Sequence, residues 1–532
     1  MNYINKKVMA KFGDFLSNIA SGKITGYNYP RYEIPEWSMK ENEYLFISNI
    51  NIIDVDSGKI MPVRGLLVKD KQIDQLVLQE DFDKIRESYP IKQEINGENK
   101  YLIPGLSDIH GHLSLISEFE LGLKQLRYFD AQRQKNCEEA LKSGCTFVKD
   151  SGGAINVMDY LRHEIENDRL LGPKMMAAKE TISPKGGMWD LGIFNKFAPM
   201  IFGGRVLNFP KNTQELEETI DWFNESGSDF FKTYFEDKPI YGGKESDVFN
   251  MFTPEHAALI RKKATAYNKM VEAHSMFIKG SRRVIDAKFD FIAHFTVDEP
   301  YSPEDAQKMK NNNVAVIPTL SLGCYFAMNC GEKGFPNHPD FQFFKEKLNN
   351  EVPAMMVRCT IPQLRNNYLH FAKWIDQYIE DRKMPSVGQV YPERVHGFIK
   401  NAQESLNNLH NAGVKIGIGT DGGSGITFVG NLQIEFEALE HFGFTPAEIL
   451  RMATLGNMEI IHLEKKLGSI EKGKFADMVI LDKNPLNDAK AITSVSGVFK
   501  NGRLYFRQKE VLNRQQLSIR KGYKPKVEYE NK

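Results

Sequence analysis

Two histidines stand two positions apart in the segment Asp108-Ile109-His110-Gly111-His112. Side chains alternate between the two sides of a β-strand, so a strand in this segment would place both imidazoles on one face. Neutral imidazole is a common ligand of metal ions, and the two rings could share one ion. An H-x-H pair on its own is more often a polar surface or core pairing, so the metal hypothesis needs further ligands.

Two more histidines each close an apolar run, because His274 ends KMVEAH and His294 ends DFIAH. A single histidine at a strand end is more often a structural residue than a ligand. These two, however, fall at the exit ends of consecutive predicted strands, where barrel enzymes place their catalytic groups. Four of the 12 histidines of the chain are thus predicted at one rim, which favours a shared metal site.

A carboxylate and an amine complete the candidate ligands. Asp421 follows GIGT and precedes Gly422 and Gly423, although an Asx turn or a helix N-cap would use the same residues. Lys232 ends the apolar run DFFK, where an ammonium group is costly to bury unless it has a partner or loses its proton. A lysine that extends its charged end to solvent is the alternative. A neutral Lys232 could take up carbon dioxide to form a carbamate, which would act as a carboxylate and bridge two metal ions.

Short apolar runs alternate with longer helical stretches through the middle of the chain. This alternation predicts repeated β-α units and an α/β fold, specifically a (β/α)₈ TIM barrel. The runs predicted as its strands cover residues 102–110, 145–150, 173–180, 229–235, 269–275, 290–296, 314–320 and 415–421.

Alternating apolar and polar residues, broken by turn signals, flank this middle part on both sides and predict short antiparallel strands. We expect the two flanks to build one small composite β-sandwich domain. The long stretch between the last two predicted barrel strands is expected to form a lid or a pocket wall. The predicted order is an N-terminal extension (1–43), the β-sandwich (44–100 and 465–510), the barrel (101–464, with the long insertion at 321–414) and a C-terminal tail (511–532).

Composition excludes several classes of function. The 532 residues contain 69 Lys and Arg and 69 Asp and Glu, so net charge gives no basis for binding nucleic acid or an anionic membrane. The five cysteines form no C-x-x-C pair, which favours a reducing cytoplasm over a disulfide framework. No signal peptide and no membrane-spanning stretch is recognised. We therefore expect a cytoplasmic protein with a small-molecule substrate, and the sequence leaves a homo-oligomer open.

The order of these residues resembles the metal-dependent amidohydrolase superfamily in its binuclear form with a carboxylated lysine, and in particular its imidazolonepropionase-like and X-Pro dipeptidase-like members. The motifs PGLSDIHGHL, SGCTFVKDSGG, GPKMMAAKETISPKGG and GIGTDGG are similar to those of the first, second, third and last barrel strands. The segment MATLGNMEIIHLEKKLGSIEKGKFADMVILDKNPLND is similar to the one that leaves the barrel and completes the β-sandwich. The resemblance covers about residues 44–505.

This resemblance implies a ligand set and a reaction. His110 and His112 would bind the more buried ion, His274 and His294 the more exposed ion, and a carbamate on Lys232 would bridge the two. Asp421 would bind the first ion and act as the base. The implied cofactors are two divalent ions, with zinc favoured over manganese, iron, cobalt or nickel by such nitrogen and oxygen ligands. The implied reaction is hydrolysis of an amide or cyclic amide by a metal-bridging hydroxide.

The substrate-side positions depart from the family pattern. Relatives that hydrolyse X-Pro or acyl-amino-acid bonds usually have a histidine where this chain has Met188, directly after Gly187. If Met188 and Gly187 contact the substrate, that substrate is different or more apolar; otherwise Met188 is a wall residue. Tyr234 shares a strand face with Lys232 and could stabilise an oxyanion, or it is a structural aromatic residue.

Two other functions are considered. A mononuclear deaminase of the same superfamily would have a glutamate three residues after His274, where this chain has Phe277, and would lack Lys232. A non-catalytic scaffold would have no use for so complete a set of ligands. Both features favour hydrolysis at a two-metal site.

Overall fold

The computed structural model describes residues 43–115, 129–190, 206–239, 248–330, 338–352, 392–423, 427–507 and 510–511, with the single residues 192, 195 and 358. Three predicted segments lie largely outside these ranges. They are the N-terminal extension apart from Glu43, the 359–391 part of the long insertion, and the C-terminal tail beyond Val511.

Strands occur from Tyr44 to Ile317 and again from Met478 to Val511, and they are numbered in chain order. They are β1 (Tyr44–Ser48), β2 (Asn51–Asp54), β3 (Lys59–Ile60), β4 (Gly65–Lys69), β5 (Gln72–Val77), β6 (Ile91–Asn96), β7 (Tyr101–Pro104), β8 (Leu106–Gly111), β9 (Cys145–Asp150), β10 (Lys174–Ala177), β11 (Thr181–Ile182), β12 (Leu207–Asn208), β13 (Phe230–Tyr234), β14 (Met270–His274), β15 (Phe291–Ala293), β16 (Ala315–Ile317), β17 (Met478–Leu481), β18 (Val495–Lys500), β19 (Arg503–Arg507) and β20 (Glu510–Val511).

Strands from the two ends of the described chain share one sheet. A seven-stranded sheet has the order β20-β19-β18-β17-β7-β2-β3, and a four-stranded sheet has the order β5-β4-β1-β6. In the larger sheet β17 pairs antiparallel with β7, with Met478 opposite Pro104. Apolar side chains of both sheets, such as Leu45, Ile52 and Phe499, are buried in one cluster. The first predicted barrel run, 102–110, is therefore divided at Gly105 between this sheet and β8.

The middle of the chain forms parallel sheets with helices between the strands. One sheet has the order β10-β9-β8, and the other has the order β12-β11-β13-β14-β15-β16. The neighbouring pairs in both sheets are parallel, as in β13 with β14, where Tyr234 lies opposite His274. Almost every residue of β8, β9 and β13 is buried, as expected for parallel strands covered on both faces. The protein is thus a mixed α/β fold.

The last predicted barrel strand, 415–421, contributes only isolated bridges rather than a ladder. Ile416 bridges to Val316 in the middle of β16, and Gly422, the residue after the segment, bridges to Gly111 at the end of β8. The Asp421 N–H also donates to the His110 carbonyl at 2.7 Å. The segment lies between the two parallel sheets in this way, but the assigned strands do not close into one ring.

Helices surround these sheets, and several begin with a local capping motif. Ser302 and Thr253 each cap a helix in a capping box that is followed by proline, an arrangement that satisfies free N–H groups of the first turn. The α-helices cover Phe82–Ser88, Phe129–Lys142, Ile155–Glu166, Thr213–Glu225, Pro254–Ala266, Ile278–Asp286, Pro303–Asn312, Leu322–Cys330, Pro339–Asn350, Pro392–Ala412, Gln433–His441, Pro446–Arg451 and Asn457–Ile460, with a π-helical turn at Met452–Gly456 and 3₁₀ turns at Gln79–Asp81 and Ala489–Thr493.

Part of the long insertion packs next to the candidate site. Helix Pro392–Ala412 places the Phe398 ring 6.4 Å from the Phe295 ring, directly after His294 in the chain. Asn401 from the same helix donates to the Thr296 carbonyl at 3.2 Å.

Among the helices in the described ranges, none is long and apolar enough to cross a bilayer.

One buried amide ties β8 to segment 415–421. The Asn457 Nδ2 donates to the carbonyls of Ser107 and Ile418, both at 3.0 Å, and its Oδ1 accepts from the Ile418 N–H at 2.8 Å. Asn457 has 0% exposure, so the loss of any of these bonds would leave an unpaired polar group in the interior.

Asn457→Ala should therefore lower the free energy of unfolding by at least about 2 kcal/mol, because it leaves buried backbone groups unpaired. Urea unfolding followed by circular dichroism measures the loss. Asn407 is an exposed asparagine on helix Pro392–Ala412, and Asn407→Ala should change stability by no more than about 0.5 kcal/mol. Equal stability of the two variants would show that Asn457 does not hold the two segments together.

Candidate metal centre

His110 and His112 lie at and just beyond the end of β8, with exposures of 1% and 8%. Their ring centroids are 5.7 Å apart. The strand geometry that the H-x-H spacing predicts is therefore present, and both imidazoles face the same interior space as Asp421.

Asp421 approaches both rings. Its Oδ1 is 3.3 Å from Nε2 of His110 and 3.1 Å from Nε2 of His112. Two ligands at the usual zinc distances in a tetrahedral arrangement are about 3.3 Å apart, so the observed spacing fits one ion between these three residues. The chain segment before Asp421 passes so close to His110 that it requires a glycine, because a Cβ at Gly419 would lie 2.6 Å from the His110 Cβ.

The charge state of Asp421 suits a metal ligand. Burial opposes ionisation, but the hydrogen bonds with His110 and His112 hold the pKa of its carboxyl well below the ordinary value. Asp421 also has a positive φ of 50°, a conformation that is uncommon for a residue with a Cβ and that is concentrated at functional sites. The alternative of a simple turn or cap does not account for these two histidine contacts.

Hydrogen bonds at Nδ1 fix the orientation of three of the histidine rings. Nδ1 of His110 lies 2.6 Å from Glu272 Oε1, that of His112 lies 2.8 Å from the Gly152 carbonyl, and that of His294 lies 2.7 Å from Thr319 Oγ1. Partners of this kind set the tautomer of metal-binding histidines and leave Nε2 available for an ion.

His274 and His294 extend the same group of rings. The His294 ring is 5.0 Å from the His110 ring and 4.5 Å from the His274 ring. Burial, together with nearby positive groups, lowers the pKa of both His274 and His294 well below the ordinary value, which favours the neutral imidazole that binds metal ions. The compact three-ligand group of the described chain contains neither of them, although their rings lie next to that of His110.

Lys232 is buried on β13, and its partner is Glu272 on β14. The Lys232 Nζ donates to Glu272 Oε1 at 2.5 Å. Lys149 on β9 donates to the other oxygen of the same carboxylate, and Ser151 Oγ donates to it at 3.0 Å. Burial disfavours the charged form, but Lys149 and Lys232 hold the pKa of Glu272 well below its ordinary value. Lys232 is therefore not a lysine that extends its charged end to solvent, which was the alternative interpretation of its position.

Sequence reasoning did not identify Glu272 and Lys149. A signal was available, because Glu272 stands two residues before His274 and therefore shares its strand face. Lys149 likewise stands in the apolar run CTFVKD. Its ammonium lies 4.2 Å from the centroid of the Phe230 ring, and burial lowers its pKa to about 8.

The proposed substrate-side residues lie on β13 and in the loop after β11. The Tyr234 ring centroid is 5.2 Å from that of His274, and burial raises the pKa of its hydroxyl. Gly187 and Met188 lie in the loop after β11, where the Met188 carbonyl accepts from Ser183 Oγ at 2.8 Å. The predicted substrate contacts of Gly187 and Met188 stay predictions.

Residues 101–505 match the sequence model of the amidohydrolase family. The chain belongs to this family. The resemblance inferred from its motifs is thereby confirmed, and an amidohydrolase-type hydrolase acting on carbon–nitrogen bonds is supported.

Individual relatives of this amidohydrolase differ in activity. Ochratoxinase of Aspergillus niger is 22% identical over 470 residues, which are 84% of each chain. Imidazolonepropionase of Treponema denticola is 36% identical over 96 residues, which are 17% of this chain and 23% of that protein. The solved structure of a Xaa-Pro dipeptidase with bound methionine has a TM-score of 0.64 at 21% identity, covering 87% of this chain and 100% of that one. This structural likeness supports the α/β fold.

His110→Asn should remove at least one metal ion per chain, because it deletes the Nε2 atom that faces Asp421. Elemental analysis of the purified protein measures the loss. His441 is bound to Asp340 at 2.8 Å on helix Gln433–His441, and His441→Asn should keep the full metal content. Unchanged metal content in His110→Asn would remove His110 from the ligand set.

Proposed function

We propose that the protein is a metal-dependent amidohydrolase that hydrolyses an amide or cyclic amide bond of a small molecule at a site for two divalent ions. The approach of Asp421 Oδ1 to the Nε2 atoms of His110 and His112, at 3.3 and 3.1 Å, supports this most directly. Family membership adds the reaction class, hydrolysis of carbon–nitrogen bonds.

The two parallel sheets belong, in this proposal, to one (β/α)₈ barrel. Segment 415–421 would be the last strand, since the Val316 N–H donates to the Lys415 carbonyl on one side and the Ile109 N–H to the Ile418 carbonyl on the other. All proposed ligands then lie at the carboxyl ends of strands, where enzymes of this fold have their active sites.

His110, His112 and Asp421 would hold the first ion, and His274 with His294 the second. Zinc is the metal that these nitrogen and oxygen donors suit best among those considered. When bound, divalent ions lower the pKa of water and polarise a carbonyl group.

A carbamate on Lys232 would bridge the two ions. Its formation requires Lys232 to lose its ammonium proton first, after which the neutral nitrogen bonds to the carbon of carbon dioxide and releases a second proton. An ammonium group is thereby replaced by a carboxylate-like anion, and two protons leave in all. In the structure Glu272 faces two ammonium groups, Lys149 and Lys232. After carbamate formation Glu272 would still be paired with Lys149.

The protein's own groups would handle the protons. Asp421 is ionised and borders both histidines, so it can accept a proton from the attacking water and pass it to the leaving nitrogen. The Tyr234 hydroxyl stays protonated because burial raises its pKa. It would donate to the oxyanion that develops on the substrate carbonyl.

The substrate is proposed as a class of small molecules. Met188 stands where dipeptide-cleaving relatives usually have a histidine, which favours an apolar group beside the scissile bond. A cytoplasmic setting and the absence of nucleic-acid or membrane partners remain part of the proposal.

A substrate screen of the zinc-loaded enzyme with N-acyl-amino acids, dipeptides, cyclic amides and aminopurines tests the function. We expect release of an amine or acid from at least one amide, and Asp421→Asn should reduce kcat for it by at least about 100-fold, because the proton acceptor is lost. Ammonia release from an aminopurine, with no amide cleaved, would contradict the proposal and favour a deaminase.

Lys232→Ala should abolish activity, and short carboxylic acids such as formate or propionate should restore part of it by replacing the carbamate. The rate with and without added acid measures this effect. Lys310 bonds the Gly413 carbonyl at the surface, and Lys310→Ala should keep activity without showing rescue. Full activity of Lys232→Ala without any additive would remove the carbamate from the mechanism.

A further inference from the structure

Glu236 is a buried carboxylate beside the second proposed ion. It stands two residues beyond the end of β13, and its side chain has 0% exposure. Its Oε1 accepts a hydrogen bond from the Met276 N–H at 2.5 Å and lies 3.2 Å from Nε2 of His274. Glu236 therefore points toward the same face as His274.

Two polar atoms at this place lack a hydrogen-bond partner within the described part of the chain. They are Oε2 of Glu236 and Nε2 of His274, and both are buried. A buried polar atom without a partner costs free energy, and such atoms are rare in folded proteins. Because Oε2 of Glu236 and Nε2 of His274 belong to neighbouring side chains, they indicate that a bound group interacts with both of them.

The charge around Glu236 indicates the nature of that group. The charged side chains that act on it are the carboxylates of Asp237 and Asp298. Asp237 is already paired with Lys279 at 2.9 Å, and Asp298 accepts from the Ile278 N–H at 2.9 Å. Glu272, by contrast, is a buried carboxylate with two lysines beside it. A bound cation would give Glu236 the positive charge that the two lysines give Glu272.

The spacing fits a metal ion. The 3.2 Å between Glu236 Oε1 and His274 Nε2 equals, within 0.1 Å, the 3.1 and 3.3 Å between Asp421 and its two histidines. It also matches the separation of about 3.3 Å expected for two ligands of one tetrahedral ion.

We propose that Glu236, paired with His274, is a ligand of the second ion. This assignment rests on the two-ion site proposed above and adds a carboxylate to it. The competing explanation is a protonated Glu236 that donates a hydrogen bond to His274. Glutamine distinguishes the two, because its amide can donate the same bond but lacks the negative charge that binds a cation.

Zinc binding by the metal-stripped 532-residue chain tests the proposal, with stoichiometry and affinity measured by calorimetry and elemental analysis. Wild-type protein should bind two ions, and Glu236→Gln should bind the second at least about 10-fold more weakly. Glu435 is an equally buried carboxyl that accepts from the N–H groups of Leu320 and Ser321. Glu435→Gln should bind both ions as the wild type does.

The outcomes separate this proposal from the function on which it rests. If the wild type binds two ions, His294→Asn loses one and Glu236→Gln keeps both at wild-type affinity, only the role of Glu236 is overturned. If the wild type binds no second ion, the two-ion site fails and Glu236 with it.

A second variant covers the case in which Glu236→Gln does not fold. Glu236→Asp keeps the carboxylate but moves its oxygens, so the visible spectrum of cobalt at the second site should shift while two ions are still bound. A cobalt spectrum identical to that of the wild type would overturn the proposal.

Discussion

The buried carboxylate of Glu272 is the interaction on which the candidate site depends. Removing a charged group from water costs several kcal/mol, and only full pairing offsets such a cost. The bond to Nδ1 of His110 directs Nε2 of that ring toward Asp421. The Glu272 carboxylate on β14 therefore orients His110, a proposed metal ligand on β8. The donors that pair with Glu272 are Nζ of Lys149, Nζ of Lys232, Nδ1 of His110 and Oγ of Ser151.

The same network joins the two parallel sheets. Lys149 belongs to β9 of the three-stranded sheet, while Glu272 and Lys232 belong to β14 and β13 of the six-stranded sheet. Asp421 lies between the sheets, because its N–H donates to the His110 carbonyl. The proposed metal ligands thus gather around a point that several chain segments, far apart in sequence, build together. Their positions depend on packing over the whole α/β unit.

Much of the site could be predicted from the sequence because its signals are local. The two-residue spacing of His110 and His112 specifies a shared strand face, and His274 ends an apolar strand as expected. Glu272 and Glu236 escaped prediction because their importance comes from partners 40 residues away, such as Lys232 for Glu272 and Met276 for Glu236. For the fold, the alternation of strands and helices predicted the α/β class. It did not predict that β7 pairs with β17, because pairing over such a distance leaves no local pattern.

A crystal structure of the zinc-loaded protein, with anomalous scattering recorded at the zinc edge, tests the central claim most directly. The account predicts one peak about 2.0–2.1 Å from Nε2 of His110 and of His112 and bound to Asp421. It predicts a second peak at Nε2 of His274 and of His294. Absence of a peak between His110, His112 and Asp421 in fully zinc-loaded crystals would contradict the claim that these residues form a metal centre.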